Sequence, residues 1–215
     1  MSRVRLLSPR RRWAIVLALM AASFVAAQRA SATPDGIPST TIARSDLDAL
    51  VVSPEDSGTG YSRALFPHWI TIAGTCNTRE TVLRRDGSGV SVDGSCRPTS
   101  GSWLSEYDGM TLTASSGVEI DHVVPLAEAW RSGASSWTTS RRQSFANDLA
   151  DPELIAVSSA SNRAKSDQDP STWTPRAAYR CTYAKLWIGA KYAWRLHLQS
   201  TEKSALLGLL STCPT

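Results

Sequence analysis

Asp121 and His122 are adjacent, and forty positions after His122 the chain reads Asn162-Arg163-Ala164-Lys165. A carboxylate and an amide carbonyl are oxygen donors of the kind that hard divalent cations take. An imidazole with a free pKa of about 6.5 can accept a proton from water near neutrality. Together these groups suit phosphodiester hydrolysis. A cation bound by Asp121 and Asn162 would neutralise charge on the phosphate and the leaving oxygen, while His122 would generate the attacking hydroxide. Lys165, three residues after Asn162 on the same side of a helix, is placed to hold a phosphate oxygen. Arg163 is placed to touch the nucleic-acid backbone.

These side chains need elements that bring them together. Val118-Glu119-Ile120-Asp121 alternates apolar and acidic residues, the period of a half-buried strand with Glu119 facing solvent. Pro125 follows, and residues 126–131 and 141–149 read as short helices around a Ser/Thr/Gly loop at 132–140. Leu154-Ile155-Ala156-Val157 is an apolar strand candidate, after which Ser158 or Ser159 can cap a helix running through Asn162 to Lys165. Successive strand residues point to opposite faces. Asp121 and His122 can therefore serve one site only if the strand bends there, and Pro125 is consistent with a bend.

The run Glu119-Ile120-Asp121-His122-Val123-Val124-Pro125-Leu126, followed by Asn162-Arg163-Ala164-Lys165-Ser166-Asp167, resembles the HNH endonuclease superfamily. It is most similar to secreted members with a DUF1524-like HNH domain. Ala129-Trp130-Arg131-Ser132-Gly133-Ala134, Phe145-Ala146-Asn147-Asp148 and Leu154-Ile155-Ala156-Val157-Ser158 support the likeness, which covers residues 76–213. The resemblance implies an α+β fold: an HNH ββα-metal core with added short strands and C-terminal helices. It implies an endonuclease that leaves 5′-phosphate and 3′-hydroxyl ends, with nucleic acid as partner, DNA ahead of RNA. Asp121 then matches the metal-ligating carboxylate, His122 the general base and Asn162 the second ligand. The central Asn of the motif, which braces the base or its loop, is assigned to Asn147; the other position where it could fall is occupied by Glu153. With oxygen ligands, Mg²⁺ or Mn²⁺ is the expected cofactor.

The chain has 215 residues and a formal net charge of +4. Residues 1–32 read as an export signal: five arginines by position 12, an apolar stretch at 14–27, and Ala30-Ser31-Ala32 as a cleavage site. The apolar stretch is shorter than the roughly 20 residues a spanning helix needs, so no stable membrane association is expected after cleavage. Removing this segment takes away six arginines and no acids, so +4 becomes −2. Global charge then gives no support for nucleic-acid binding, which must rest on a local patch.

Residues 33–60, rich in Ser, Thr, Pro, Asp and Gly, read as a linker or N-terminal extension with one short helix at 42–50. Residues 61–215 read as one nuclease-like domain, expected to be a monomer. Within it, Val82-Leu83 with the turn signals Asp86-Gly87 and Asp93-Gly94 reads as short strands, and strand pieces follow at 102–103 and 110–114. An amphipathic helix is expected at 177–198 and a last one at 201–210. Cys76, Cys96, Cys181 and Cys213 all lie in the exported part, which favours two disulfides in an extracellular protein. Of the three pairings, the sequential one (Cys76–Cys96, Cys181–Cys213) closes two short loops and is the expected one. Each bridge would stabilise the fold by about 3 kcal/mol.

Two rivals stay open. One is a secreted, non-catalytic module that binds nucleic acid or protein on the same fold. The other is a glycosidase using Glu119 and Asp121, disfavoured because near neighbours on one strand cannot flank a sugar from both sides. His68 and His197 have no partner motif, and the tryptophans are expected to pack rather than stack on bases.

Overall fold

The computed structural model describes Met1 and residues 33–214, so the export signal falls, Met1 aside, outside the described residues. The first helix, α1 (Thr40–Ala49), starts where the Ser39 side chain accepts from the Ile42 N–H. Its Ala43 and Leu47 are buried in the main core. The segment expected as a linker is therefore built into the fold. Strands β1 (Thr71–Ala73) and β2 (Cys76–Asn77) form a small antiparallel pair.

Helix α2 (Thr78–Asp86) follows, closed by a reciprocal capping box between Asn77 and Glu80. Val82 and Leu83 sit on α2 and not on a strand, a departure from the sequence reading. Two adjacent apolar residues do not distinguish a period of 2 from one of 3.6, and the Asn77/Glu80 cap decides it. Strands β3 (Gly87–Val92), β4 (Pro98–Leu104) and β5 (Thr111–Leu112) form an antiparallel sheet in that order.

The site rests on the next part of the chain. Strand β6 (Val118–His122) leads through α3 (Leu126–Arg131) and α4 (Thr139–Ala146) to β7 (Leu154–Ser158) and α5 (Ser159–Lys165). β6 and β7 pair antiparallel, Asp121 opposite Ile155 and His122 opposite Leu154, and form a two-stranded sheet. Ser158 caps α5 by accepting from the Ser161 N–H. The strand–spacer–strand–helix order read from the sequence is thus present.

β7 is buried on both faces. Leu154 and Ala156 join Val118, Ile120, Val82, Leu83 and Trp103 in a small cluster, while Ile155 and Val157 belong to the main core. Asp86 accepts from the Ala156 N–H, and Arg85 donates to the Leu154 carbonyl, so α2 holds β7 by polar contacts as well.

Helices α6 (Arg180–Trp194) and α7 (Ser200–Leu210) complete the fold. The expected 177–198 helix is shorter: a separate 3-10 turn precedes α6, and Arg195, in the left-handed region at φ 54°, ends it. The buried Lys191 ammonium donates to Glu128 on α3 and Glu202 on α7, locking three helices together. Both expected disulfides are formed, Cys76–Cys96 and Cys181–Cys213. The protein is therefore α+β, with small sheets, helices and two disulfides. Among the described residues, no helix is long and apolar enough to cross a membrane.

Candidate active site

The pleat sends Asp121 to the α5 side of β6, with Glu119. It sends His122 to the opposite side, where Trp69 packs against Val118 and Ile120. The strand does not bend between them, as the sequence reading required; pairing stays regular through His122, and the chain turns only at Val123. Both residues nevertheless reach one cavity. Among the described residues β6 pairs along one edge alone, with β7, which leaves its other edge unpaired. There, Asp121, His122 and Asn162 line an open cavity of about 410 Å³ together with Arg63, Arg131 and Asp167.

Asp121 is only 5 % exposed. Its Oδ1 accepts from Lys165 Nζ at 2.9 Å and its Oδ2 from the Tyr107 hydroxyl at 2.7 Å. Burial raises its carboxyl above the usual range, against the pull of the Lys165 ammonium. Lys165 is fully buried, and its second bond goes to the His122 carbonyl at 2.9 Å. An ammonium so enclosed does not reach a substrate, contrary to the phosphate-holding role expected for it. It holds Asp121 and the end of β6 in place.

His122 Nε2 lies 3.0 Å from the Ala146 carbonyl. A carbonyl only accepts, so the proton sits on Nε2 and Nδ1 keeps the lone pair. Burial pushes the ring's pKa down to about 3, so it is neutral at physiological pH. Trp69 stacks on it, with centroids 5.6 Å apart and planes at 28°.

Asn147 is tied to the same loop. Its Oδ1 accepts from the Ile70 N–H and the Thr78 hydroxyl, and its Nδ2 donates to the Pro67 and Gln143 carbonyls. It thus clamps both sides of Trp69, whose φ of 58° is costly for a bulky residue. The carbonyl just before Asn147 is the one that holds His122. Asn147 does not line the cavity; it braces from behind.

Asn162 spends its Nδ2 on Glu119, at 2.8 Å, and its Oδ1 carries no hydrogen bond among the described residues. Arg163 is 78 % exposed and paired with Glu119 at 3.0 Å, away from the cavity lining. Glu119, expected to face solvent, is the acid that orders both. His68 Nδ1 donates to the Phe66 carbonyl at 2.8 Å, and His197 lies 3.6 Å from Asp56; neither joins the site.

These donors fit a hard cation. A carboxylate has about four lone-pair positions, and two of them on Asp121 are used by Lys165 and Tyr107. Asn162 Oδ1 adds a neutral oxygen. No cluster of three or more His, Cys, Asp or Glu suited to a metal occurs among the described residues. A cation held by these two oxygens alone would have to keep waters and share substrate phosphates, as Mg²⁺ does.

The family model for the C-terminal domain of GmrSD restriction endonucleases matches residues 95–209. The chain belongs to this family. The match spans Asp121, His122, Asn147, Asn162 and Lys165, and it places the protein among nuclease-related domains. A protein of Arthroderma benhamiae named "Uncharacterized secreted protein" is 56 % identical over 203 residues, covering 94 % of this chain and all of that protein. No solved structure matches significantly.

Sequence reasoning missed Tyr107, Trp69 and Arg63, which lie outside the motif and reach the site only through folding. It did single out position 153. Glu153 accepts from the Val124 N–H through Oε2 and from the Val123 N–H through its carbonyl, bracing the turn after His122. Its Oε1 is buried with no hydrogen-bond partner among the described residues, and burial raises its carboxyl well above the usual range. A group whose folded pKa is raised contributes stability that is fully present below its unfolded pKa and lost as pH rises. Glu153→Gln has no proton to lose. Its stability advantage over wild type should be absent near pH 4 and grow above it by up to about 1.4 kcal/mol per pH unit. Unfolding midpoints of both proteins from pH 4 to 8 check this; parallel curves would refute it.

Proposed function

We propose that the protein is a secreted, metal-dependent HNH endonuclease that hydrolyses phosphodiester bonds in nucleic acid, DNA ahead of RNA. One observation carries the reading. A carboxylate, an imidazole with its proton held on Nε2, and an amide carbonyl meet at a single open cavity on the free edge of β6. The family match and the name of the fungal relative support it, and two disulfides fit an oxidising compartment. In this reading β6, β7 and α5 are the ββα-metal unit, residues 33–60 are an extension of the same domain, and residues 1–32 are a cleaved signal.

Asp121 and Asn162 would hold the cation, Mg²⁺ or Mn²⁺, which would supply positive charge to offset the negative charge on the phosphate and the departing 3′-oxygen. His122 Nδ1 takes a proton from water as the water oxygen bonds to phosphorus. The bond to the 3′-oxygen breaks, and that oxygen picks up a proton from solvent, leaving 5′-phosphate and 3′-hydroxyl ends. An arriving phosphate anion raises the proton affinity of His122 and offsets its burial. Lys165 and Tyr107 keep Asp121 oriented, while Asn147 and Trp69 fix the plane of the ring. Lys165 already balances the charge of Asp121, so a bound cation would need substrate phosphate for much of its charge compensation.

Incubation with supercoiled plasmid tests the reading. Nicking and linearisation are expected with Mg²⁺ or Mn²⁺, to be stopped by EDTA and restored by excess metal. Absence of chelator-sensitive cleavage would favour the non-catalytic binding module instead.

A further inference from the structure

The cations first expected at the phosphate are already committed. Lys165 is enclosed with Asp121, and Arg163 is paired with Glu119. Arg131, which also lines the cavity, is held at 3.0 Å by each of Glu55, Glu128 and Asp167. Arg63 differs. It is exposed, it lines the same cavity, and its guanidinium has no hydrogen bond or ion pair among the described residues.

The backbone beneath Arg63 is anchored. It opens a 3-10 turn, Arg63–Leu65, between Tyr61 and Phe66, whose rings contact Trp130 edge-on at 6.1 and 6.4 Å. Arg142 donates to the Leu65 carbonyl at 2.9 Å. A free planar fork of donors thus stands on a fixed support beside the reacting groups.

We propose that Arg63 binds a non-bridging phosphate oxygen of the nucleic-acid backbone at the mouth of this cavity, and so serves as the substrate-holding cation of the site. The assignment rests on the nuclease reading and deepens it. Guanidinium matches phosphate through two parallel hydrogen bonds. Arg63 lies before residue 95, where the family match begins, so the segment ahead of the matched domain completes the substrate site. The mature chain's net negative charge makes a local cation of this kind the more necessary.

The test is binding of a fluorescein-labelled DNA duplex followed by anisotropy across a salt series, with EDTA present to stop turnover. It is run on wild type, Arg63→Ala, Arg63→Lys and a remote charge control, Arg97→Ala. Arg63→Ala is expected to weaken binding by roughly 10- to 100-fold and to make the slope of log K against log salt shallower by about 0.9, one phosphate contact. Arg63→Lys should keep the slope, and Arg97→Ala should match wild type. An unchanged slope in Arg63→Ala, or an equal change in Arg97→Ala, overturns the assignment. Plasmid cleavage by wild type in Mg²⁺ separates the two claims. Cleavage with an unchanged Arg63→Ala slope sinks Arg63 alone, whereas no cleavage sinks both.

Discussion

His122→Ala is expected to lose metal-dependent cleavage by a factor of about 10² to 10⁴, the contribution of a positioned general base. The loss is assigned to Nδ1. The bond from Nε2 to Ala146 leaves it as the ring's only acceptor, and His122 lines the cavity together with Asp121 and Asn162. The variant should still fold. It gives up one hydrogen bond and the stacking on Trp69, a cost of about 1–3 kcal/mol, while the two disulfides and the main apolar cluster are untouched. Single-turnover nicking of plasmid, beside circular dichroism and a thermal midpoint, reads the two effects apart. Full activity in a folded His122→Ala protein would remove the histidine from the chemistry. Loss of both fold and activity would be resolved by His122→Asn, which keeps a polar group near Ala146 but no base.

Lys165→Met is expected to give the largest stability loss of any single change near the site. Removing one partner of a buried ion pair leaves the other charged and unpaired, which costs about 3–5 kcal/mol. For a chain of this size that lowers the thermal midpoint by roughly 6–20 °C. The fully buried ammonium is also the main influence opposing the burial that raises the Asp121 carboxyl. Without it the carboxyl rises further. A carboxyl that holds its proton to higher pH is less available as a cation ligand at a given pH, so whatever cleavage survives should shift to higher pH. Adding Asp121→Asn should recover part of the lost stability, because no orphaned charge remains, without recovering cleavage. A Lys165→Met midpoint equal to that of wild type would contradict the pairing, and an unshifted pH profile would confine Lys165 to a purely structural role.

Much of the frame was legible because it is local. The alternation in Val118–Asp121 and the apolar run at 154–157 are strands, and the serine ahead of Asn162 is a cap. The cysteines pair in sequence order. Where local signals were short they misled, as with Val82-Leu83, which the Asn77/Glu80 capping box places on a helix. The requirement for a bend between Asp121 and His122 failed for a different reason. A strand with one free edge can offer both faces to a single cavity, and edge exposure is set by which strands pair, not by the strand's own residues.

The sequence by itself determined which kinds of group are present and in what order: a carboxylate beside an imidazole, then an amide on a later helix. Only the tertiary structure decided what each cation does. At helical spacing Lys165 and Arg163 look alike, yet one is sealed against Asp121 and the other paired with Glu119 in solvent. Arg63, 58 positions before Asp121, arrives at the cavity with no ion pair among the described residues. The reason is that an ammonium's burial depends on whether a carboxylate is waiting where it lands, and that depends on contacts between residues far apart in the chain.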